Sequence, residues 1–120
     1  MRINLPSGTG AEIVRPDGAA SRGLVVIPDI GSLRPLFDEH VARLATENGW
    51  VVCAFDVWGG RDDLPTLEER LGAGGTLDDE RVLGDAVAAA DATGVGPVGV
   101  VGFCMGGMYT FKAAGTGRFS

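Results

Sequence analysis

The chain is short and acidic. Its 120 residues are 45% hydrophobic and 22% charged, which suits one compact domain rather than several. Sixteen acidic against ten basic side chains give a net charge of −6, which argues against a nucleic acid or an anionic membrane as partner. Two cysteines allow at most one disulfide, and the first residues lack the apolar run of a secretion signal, so we expect a cytoplasmic location.

The first half of the chain predicts an edge strand or hairpin around residues 11–15, followed by a strand, a helix and a second strand. Residues 24–27 form a continuous apolar run typical of a strand buried in a parallel sheet, and residues 50–55 repeat it. Between them, apolar residues recur at helical spacing from 33 to 48. A single crossover helix predicts that the two strands are parallel.

The second half begins with a polar, glycine-rich stretch. Residues 61–78 are interpreted as a surface excursion with one short helix around residues 66–71. Thr76 followed by Asp79 resembles a helix cap, and the helix that it predicts would run to Gly94.

One uncharged stretch has the length of a membrane span. Residues 92–111 are twenty positions without Asp, Glu, Lys or Arg. Six glycines and Pro97 would make a poor helix of this stretch. It is better interpreted as a third buried strand over residues 97–103 followed by a helix over residues 105–114, so no membrane is expected as a partner.

A motif typical of hydrolytic enzymes lies between this strand and this helix. Gly102-Phe103-Cys104-Met105-Gly106 matches the nucleophile elbow with Cys in place of Ser. The elbow strains its central residue, so the positions two before and two after it must be almost without side chains, and both are glycine. A helix N-terminus favours a thiolate over a thiol, which suits Cys104 as a nucleophile. The alternative is a buried structural cysteine.

Three segments together resemble the dienelactone hydrolases of the α/β-hydrolase fold. They are the sequence GFCMGG at Gly102 to Gly107, the loop Pro28-Asp29-Ile30-Gly31, and Ala54-Phe55-Asp56 at the end of the second buried strand. The resemblance implies an α/β fold of three layers with a mostly parallel central sheet. Residues 1–120 would then be the N-terminal portion of a single α/β-hydrolase domain, ending after the nucleophile helix.

The resemblance also implies a reaction. Cys104 would attack an ester or lactone carbonyl, and the backbone N–H groups of Ile30 and Met105 would bind the oxyanion of the substrate. Asp29 lies where the family has a Glu that pairs with the resting thiol, and it is one methylene shorter. We therefore predict Cys104 and Asp29 as catalytic residues, Ile30 and Met105 as substrate-binding residues, a small-molecule ester or lactone as partner, and neither a cofactor nor a metal.

The other catalytic groups of such a site are missing from the sequence. In this fold the acid and the histidine follow the nucleophile, yet the sixteen residues after Cys104 contain no Asp, Glu or His. His40, the only histidine, is in line with Leu36 and Leu44 on the first predicted helix and is interpreted as a half-buried packing residue. Cys53, within an apolar strand, is interpreted as core. Little or no turnover by these residues alone is expected.

Two other interpretations stay open. The chain could be a non-catalytic, doubly wound α/β domain that binds a small ligand or a partner protein. Alternatively, a complementing chain could supply the acid and the histidine across an interface. The resemblance implies that the third buried strand is central in the sheet of the family and would here have no neighbour on one side, so self-association or pairing with another chain is expected.

Overall fold

The computed structural model describes residues 1–120, which form a five-stranded sheet with four helices. The strands are Arg2–Asn4 (β1), Gly10–Val14 (β2), Gly23–Ile27 (β3), Val51–Phe55 (β4) and Val98–Gly102 (β5). The helices are Pro35–Asn48 (α1), Leu67–Ala73 (α2), Asp79–Thr93 (α3) and Met105–Ala114 (α4). A 3₁₀ turn, Gly74–Thr76, follows α2. None of the helices is both long enough and apolar enough to cross a membrane.

The strands are ordered β1-β2-β4-β3-β5. β3 pairs in parallel with β4 and with β5, so Val25 lies opposite both Cys53 and Val100. The parallel pairing predicted for the crossover unit is confirmed. β1 and β2 add antiparallel strands at the far side of β4. β5 is the last strand of the sheet, and along its outer edge only the Ser120 N–H reaches it, donating to the Val98 carbonyl over 2.9 Å.

Helices cover both faces of the sheet. Successive side chains of a strand point to opposite faces, so the side chains of one buried strand pack in two separate cores. One core packs under α1 and contains Val26, Phe37, Val41, Ala45, Val52 and Ala54. The other packs under α3 and α4, and its members include Val25, Cys53, Phe55, Val82, Ala86 and Tyr109. All five residues of β4 are buried, as expected for a strand covered on both sides. The predicted three-layer α/β architecture is confirmed.

Most boundaries lie within one or two residues of the sequence prediction, and three features differ in kind or position. β1 was not predicted, because it has three residues of which only Ile3 is partly buried. α1 begins at Pro35, which suits the first helical position because proline has no N–H to leave unpaired. The cap predicted at Thr76 is wrong. Asp78 caps α3 by accepting the Glu80 and Arg81 N–H groups, while the Thr76 hydroxyl donates to Ala73 within the 3₁₀ turn.

Candidate active site

Cys104 occupies a sharp turn between β5 and α4. Its backbone has φ 55° and ψ −115°, and its thiol is exposed. A non-glycine residue in such a conformation costs about 1–3 kcal/mol, which the surrounding structure must offset. Here two backbone bonds close the turn, from Gly106 N–H to Phe103 over 2.8 Å and from Gly107 N–H to Cys104 over 2.9 Å. The elbow predicted from the sequence is therefore present in the structure.

The glycines two positions before and after Cys104 are required by close backbone contacts. A Cβ atom on Gly102 would lie 1.9 Å from the carbonyl oxygen of Gly106. One on Gly106 would lie 2.1 Å from the Ile27 oxygen and 2.6 Å from the Pro28 oxygen. No side chain fits in either position. The first turn of α4 therefore lies directly against the end of β3 and the start of the β3–α1 loop.

Two backbone N–H groups at this junction have no acceptor within the protein. Met105 is the first residue of α4, where helical N–H groups are left without an intrahelical partner, and its N–H makes no hydrogen bond. Ile30 lies in the β3–α1 loop, and its N–H is also free. Free amides beside a helix N-terminus favour a negatively charged ligand atom. The two residues predicted to bind the oxyanion thus have their donors available.

The β3–α1 loop is held by the segment that follows β4. Ser32 has φ 57° and is buried, and its hydroxyl donates to Asp56 Oδ1 over 2.8 Å and accepts the Val57 N–H over 2.9 Å. The indole N–H of Trp58 donates to the Ile30 carbonyl over 2.8 Å. The loop conformation next to Cys104 therefore depends on side chains more than twenty residues further along the chain.

Asp29 is engaged by Arg34. Its two carboxylate oxygens accept from the guanidinium over 2.7 and 3.0 Å, and the Gly31 N–H donates to one of them over 2.9 Å. These hydrogen bonds, that of Arg34 first, lower the pKa of Asp29, while partial burial acts in the opposite direction. No hydrogen bond joins Asp29 to Cys104. The carboxylate is bonded to Arg34 and to the Gly31 N–H instead.

His40 lies on α1 against Phe103. The two rings meet edge to face with their centroids 5.2 Å apart, and Nδ1 is 3.0 Å from Nη2 of Arg43. His40 makes no hydrogen bond to Cys104. This geometry supports the interpretation of His40 as a packing residue.

Cys53 lies inside β4 and is fully buried, which confirms its interpretation as core. Burial, and secondarily the charge of Glu12, raise the pKa of its thiol to about 12. The two cysteines are therefore in opposite environments, and neither forms a disulfide.

Two hollows lie beside the loop. A cavity of about 300 Å³ is bordered by Gly31, Leu33, Arg34, Pro65, Leu67 and Arg70. A smaller one of about 160 Å³ is bordered by Asp29, Leu36, Phe37, His40 and Phe103. Arg70 donates to the Gly31 carbonyl over 2.6 Å. No sequence pattern indicated this contact, because α2 lies in the glycine-rich stretch for which the sequence predicted only one short helix.

No cluster of three or more His, Cys, Asp or Glu side chains in the chain could hold a metal ion.

The chain is similar to dienelactone hydrolases in sequence and in structure. The model of the dienelactone hydrolase family matches residues 10–119. No curated protein gives a significant match to the sequence.

Among solved structures, one named m3DLH is 26% identical with a TM-score of 0.71, and the match covers 98% of this chain and 54% of that one. A dienelactone hydrolase-like promiscuous phosphotriesterase from metagenomic libraries is 26% identical with a TM-score of 0.76, over the same shares of the two chains, 98% and 54%. A structure attributed to a dienelactone hydrolase of Klebsiella pneumoniae shares the fold, with a TM-score of 0.76 at 24% identity, over 95% of this chain and 53% of that one.

The chain spans about half the length of these solved structures, 53% and 54% of them. The family match and the structural matches each cover nearly all of this chain, and the elbow at Cys104 lies within both. Because the family model matches residues 10–119, the chain belongs to the dienelactone hydrolase family.

Proposed function

We propose that this chain carries the nucleophile of a hydrolase that acts on an ester or lactone carbonyl, with Cys104 as the attacking group. The observation that carries the proposal is the exposed thiol in the strained turn, at φ 55° and ψ −115°, directly before the free N–H of Met105. The β3–α1 loop, in which the Ile30 N–H is also free, begins where the first turn of α4 meets Ile27 and Pro28. A protein does not keep a strained residue of this kind without a tight surrounding structure, and such residues cluster at active sites. Membership of the dienelactone hydrolase family supports the same chemistry.

The proposed step is an acyl transfer. The Cys104 thiolate attacks the carbonyl carbon, a C–S bond forms, and the carbonyl electron pair moves to oxygen. The Ile30 and Met105 N–H groups stabilise this oxyanion, which is worth about a hundredfold or more in rate for each donor. When the oxyanion collapses, the C–O bond breaks and its electron pair leaves with the alkoxide or phenoxide oxygen, which takes a proton from water where it is basic enough. Cys104 is left as a thioester.

For deacylation, the hydrolysis of the thioester on Cys104, residues 1–120 supply no general base. It needs a base that takes a proton from water. His40 is engaged with Phe103 and Arg43, and the residues after Cys104 contain no Asp, Glu or His. We propose that the acid and the histidine come from outside residues 1–120, and that the acyl group stays on Cys104 without them.

Asp29 is the second residue of the proposed site. Because its lowered pKa makes it a poor proton acceptor, we propose that Asp29 does not act as the base. Its role would be to hold Arg34 beside the loop through the paired hydrogen bonds of 2.7 and 3.0 Å. Two free cysteines suit a protein that works in a reducing cytoplasm.

The experiment is to treat the 120-residue chain with p-nitrophenyl acetate. We expect a burst of one p-nitrophenolate per chain, an acetyl group on Cys104 in the mass spectrum, and almost no turnover afterwards. Cys104→Ala should abolish the burst, and the matched variant Cys53→Ala should keep it. The absence of a burst would contradict the role of Cys104 as nucleophile. Sustained turnover that is lost in Cys104→Ala would contradict the proposal that these residues supply no base for deacylation.

A further inference from the structure

The two proposed oxyanion donors are held in different ways. The Met105 N–H belongs to α4, whose own hydrogen bonds define its direction. The Ile30 N–H lies in a loop, where no regular element holds it. The backbone of Ile30 makes a single hydrogen bond, which its carbonyl accepts from the indole N–H of Trp58 over 2.8 Å. The peptide that carries this N–H is held in a turn by the Ser32 N–H, which donates to the Asp29 carbonyl over 2.9 Å. Trp58 holds the next peptide of the same turn and is the side chain that reaches the Ile30 carbonyl.

Trp58 is itself rigidly placed. It is 1% exposed and packs in the core under α3 and α4. Its backbone N–H donates to Asp56 Oδ1 over 2.9 Å, the same oxygen that accepts the Ser32 hydroxyl over 2.8 Å. One carboxylate thus anchors both Trp58 and the C-terminal part of the loop. A buried indole N–H needs an acceptor, and the Ile30 carbonyl is the one that it has.

We infer that Trp58 is a positioning residue for the oxyanion donor of Ile30, an inference that rests on the proposed acyl transfer at Cys104. Trp58 does not touch the substrate carbonyl. Its hydrogen bond holds the Ile30–Gly31 peptide. Together with the backbone bond from Ser32 to Asp29, it fixes the turn in which the Ile30 N–H lies. A donor that is misplaced by a fraction of an ångström loses most of its effect on a charge that develops in the transition state.

Two reactions of the same thiol separate this role from a general effect on the fold. Attack on an ester carbonyl creates an oxyanion and depends on the donors. Alkylation by iodoacetamide displaces iodide from a saturated carbon, forms no oxyanion, and depends only on the exposure and ionisation of the thiol. The ratio of the acylation rate to the alkylation rate therefore reports the oxyanion donors alone.

The experiment compares Trp58→Phe with Trp50→Phe in the 120-residue chain. Trp50 is the only other tryptophan, and it packs at the edge of the core under α1, on the opposite face of the sheet. We expect Trp58→Phe to slow acylation of Cys104 by p-nitrophenyl acetate at least about tenfold and to leave alkylation within about twofold. Trp50→Phe should leave the ratio of the two rates unchanged.

A second variant separates the loss of the hydrogen bond from the loss of packing in Trp58→Phe. In the Trp50→Phe chain, Trp58 is replaced by 3-benzothienylalanine, which keeps the shape of the indole and has sulfur in place of the N–H. The same fall in the ratio is expected. An unchanged ratio in this variant, or an equal fall of both rates, would overturn the role of Trp58. Failure of the unsubstituted chain to acylate at all would overturn the proposed function as well.

Discussion

Gly106 and the carbonyl oxygen of Ile27 are so close that a Cβ atom on Gly106 would lie 2.1 Å from that oxygen. This contact joins the first turn of α4 to the end of β3. It brings the strained residue Cys104 and the β3–α1 loop to one place, and both are needed for the proposed chemistry. Glycine at position 106 is thus needed both for the packing of α4 on β3 and for the geometry of the proposed site.

Gly106→Ala is expected to destabilise the protein by about 3 kcal/mol or more, because the methyl group meets backbone that cannot move without shifting β3. Gly107→Ala is the matched control, since its Cβ would meet nothing closer than 3.7 Å and alanine favours a helix by up to about 1 kcal/mol. Urea unfolding measures both. If Gly106→Ala were as stable as Gly107→Ala, the close packing of α4 on β3 would be refuted.

Iodoacetamide should modify Cys104 at least about a hundredfold faster than Cys53 in the folded chain. Cys104 is exposed, whereas Cys53 is fully buried and its pKa is raised to about 12, so that its thiolate is scarce at neutral pH. Mass spectrometry of peptides after timed labelling gives the two rates. Cys104→Ala and Cys53→Ala each isolate one thiol. Similar rates for the two cysteines before unfolding would contradict the exposed elbow.

Much of the fold follows from local patterns in the sequence. The apolar runs that became β3 and β4 are buried on both faces almost throughout, so their side chains need no alternation, and short continuous runs are the pattern of such strands. The third run became β5, in which only Val98 is buried and the other residues are partly exposed, because β5 is the last strand of the sheet. The elbow at Cys104 was predictable because its backbone geometry dictates glycine at two nearby positions. These features are encoded by residues that are close in sequence.

The parts that were not predicted depend on contacts between distant residues. The bond from Trp58 to the Ile30 carbonyl and the bond from Arg70 to the Gly31 carbonyl join positions 28 and 39 residues apart. Side chains that donate to a backbone carbonyl leave no pattern in a single sequence. The pairing of Asp29 with Arg34 is closer in sequence, but the loop that turns the two side chains towards each other is held by those same distant bonds.

Asp85→Ala is expected to cost about 3 kcal/mol, because Asp85 is 2% exposed and accepts three hydrogen bonds. They come from the Ser7 hydroxyl over 2.5 Å, the Thr9 hydroxyl over 2.7 Å and Arg81 over 3.0 Å. The substitution removes the acceptor that the three donors share and loosens the contact between the segment before β2 and α3. The free energy of unfolding in urea is the measurement.

Asp91→Ala on the same helix is the control for this substitution. Asp91 is mostly exposed and pairs with Arg118 over 3.0 Å, and exposed ion pairs contribute less than about 1 kcal/mol. Equal costs for the two substitutions would show that the Asp85 cluster does not stabilise the fold.

Tyr109, the only tyrosine, should titrate about two pH units higher in the folded chain than in the unfolded chain. Burial raises its pKa from 10.0 to about 12, and its hydroxyl donates to Asp79 over 2.7 Å, which adds to the shift. Because the folded state favours the neutral phenol, this stabilisation is complete below pH 10 and is lost as the pH rises to about 12. The ultraviolet absorbance of tyrosinate reports this one residue. Asp79→Asn should bring the midpoint only part of the way back, since burial is the larger cause, and a folded midpoint equal to that in urea would contradict the packing of α4 against α3.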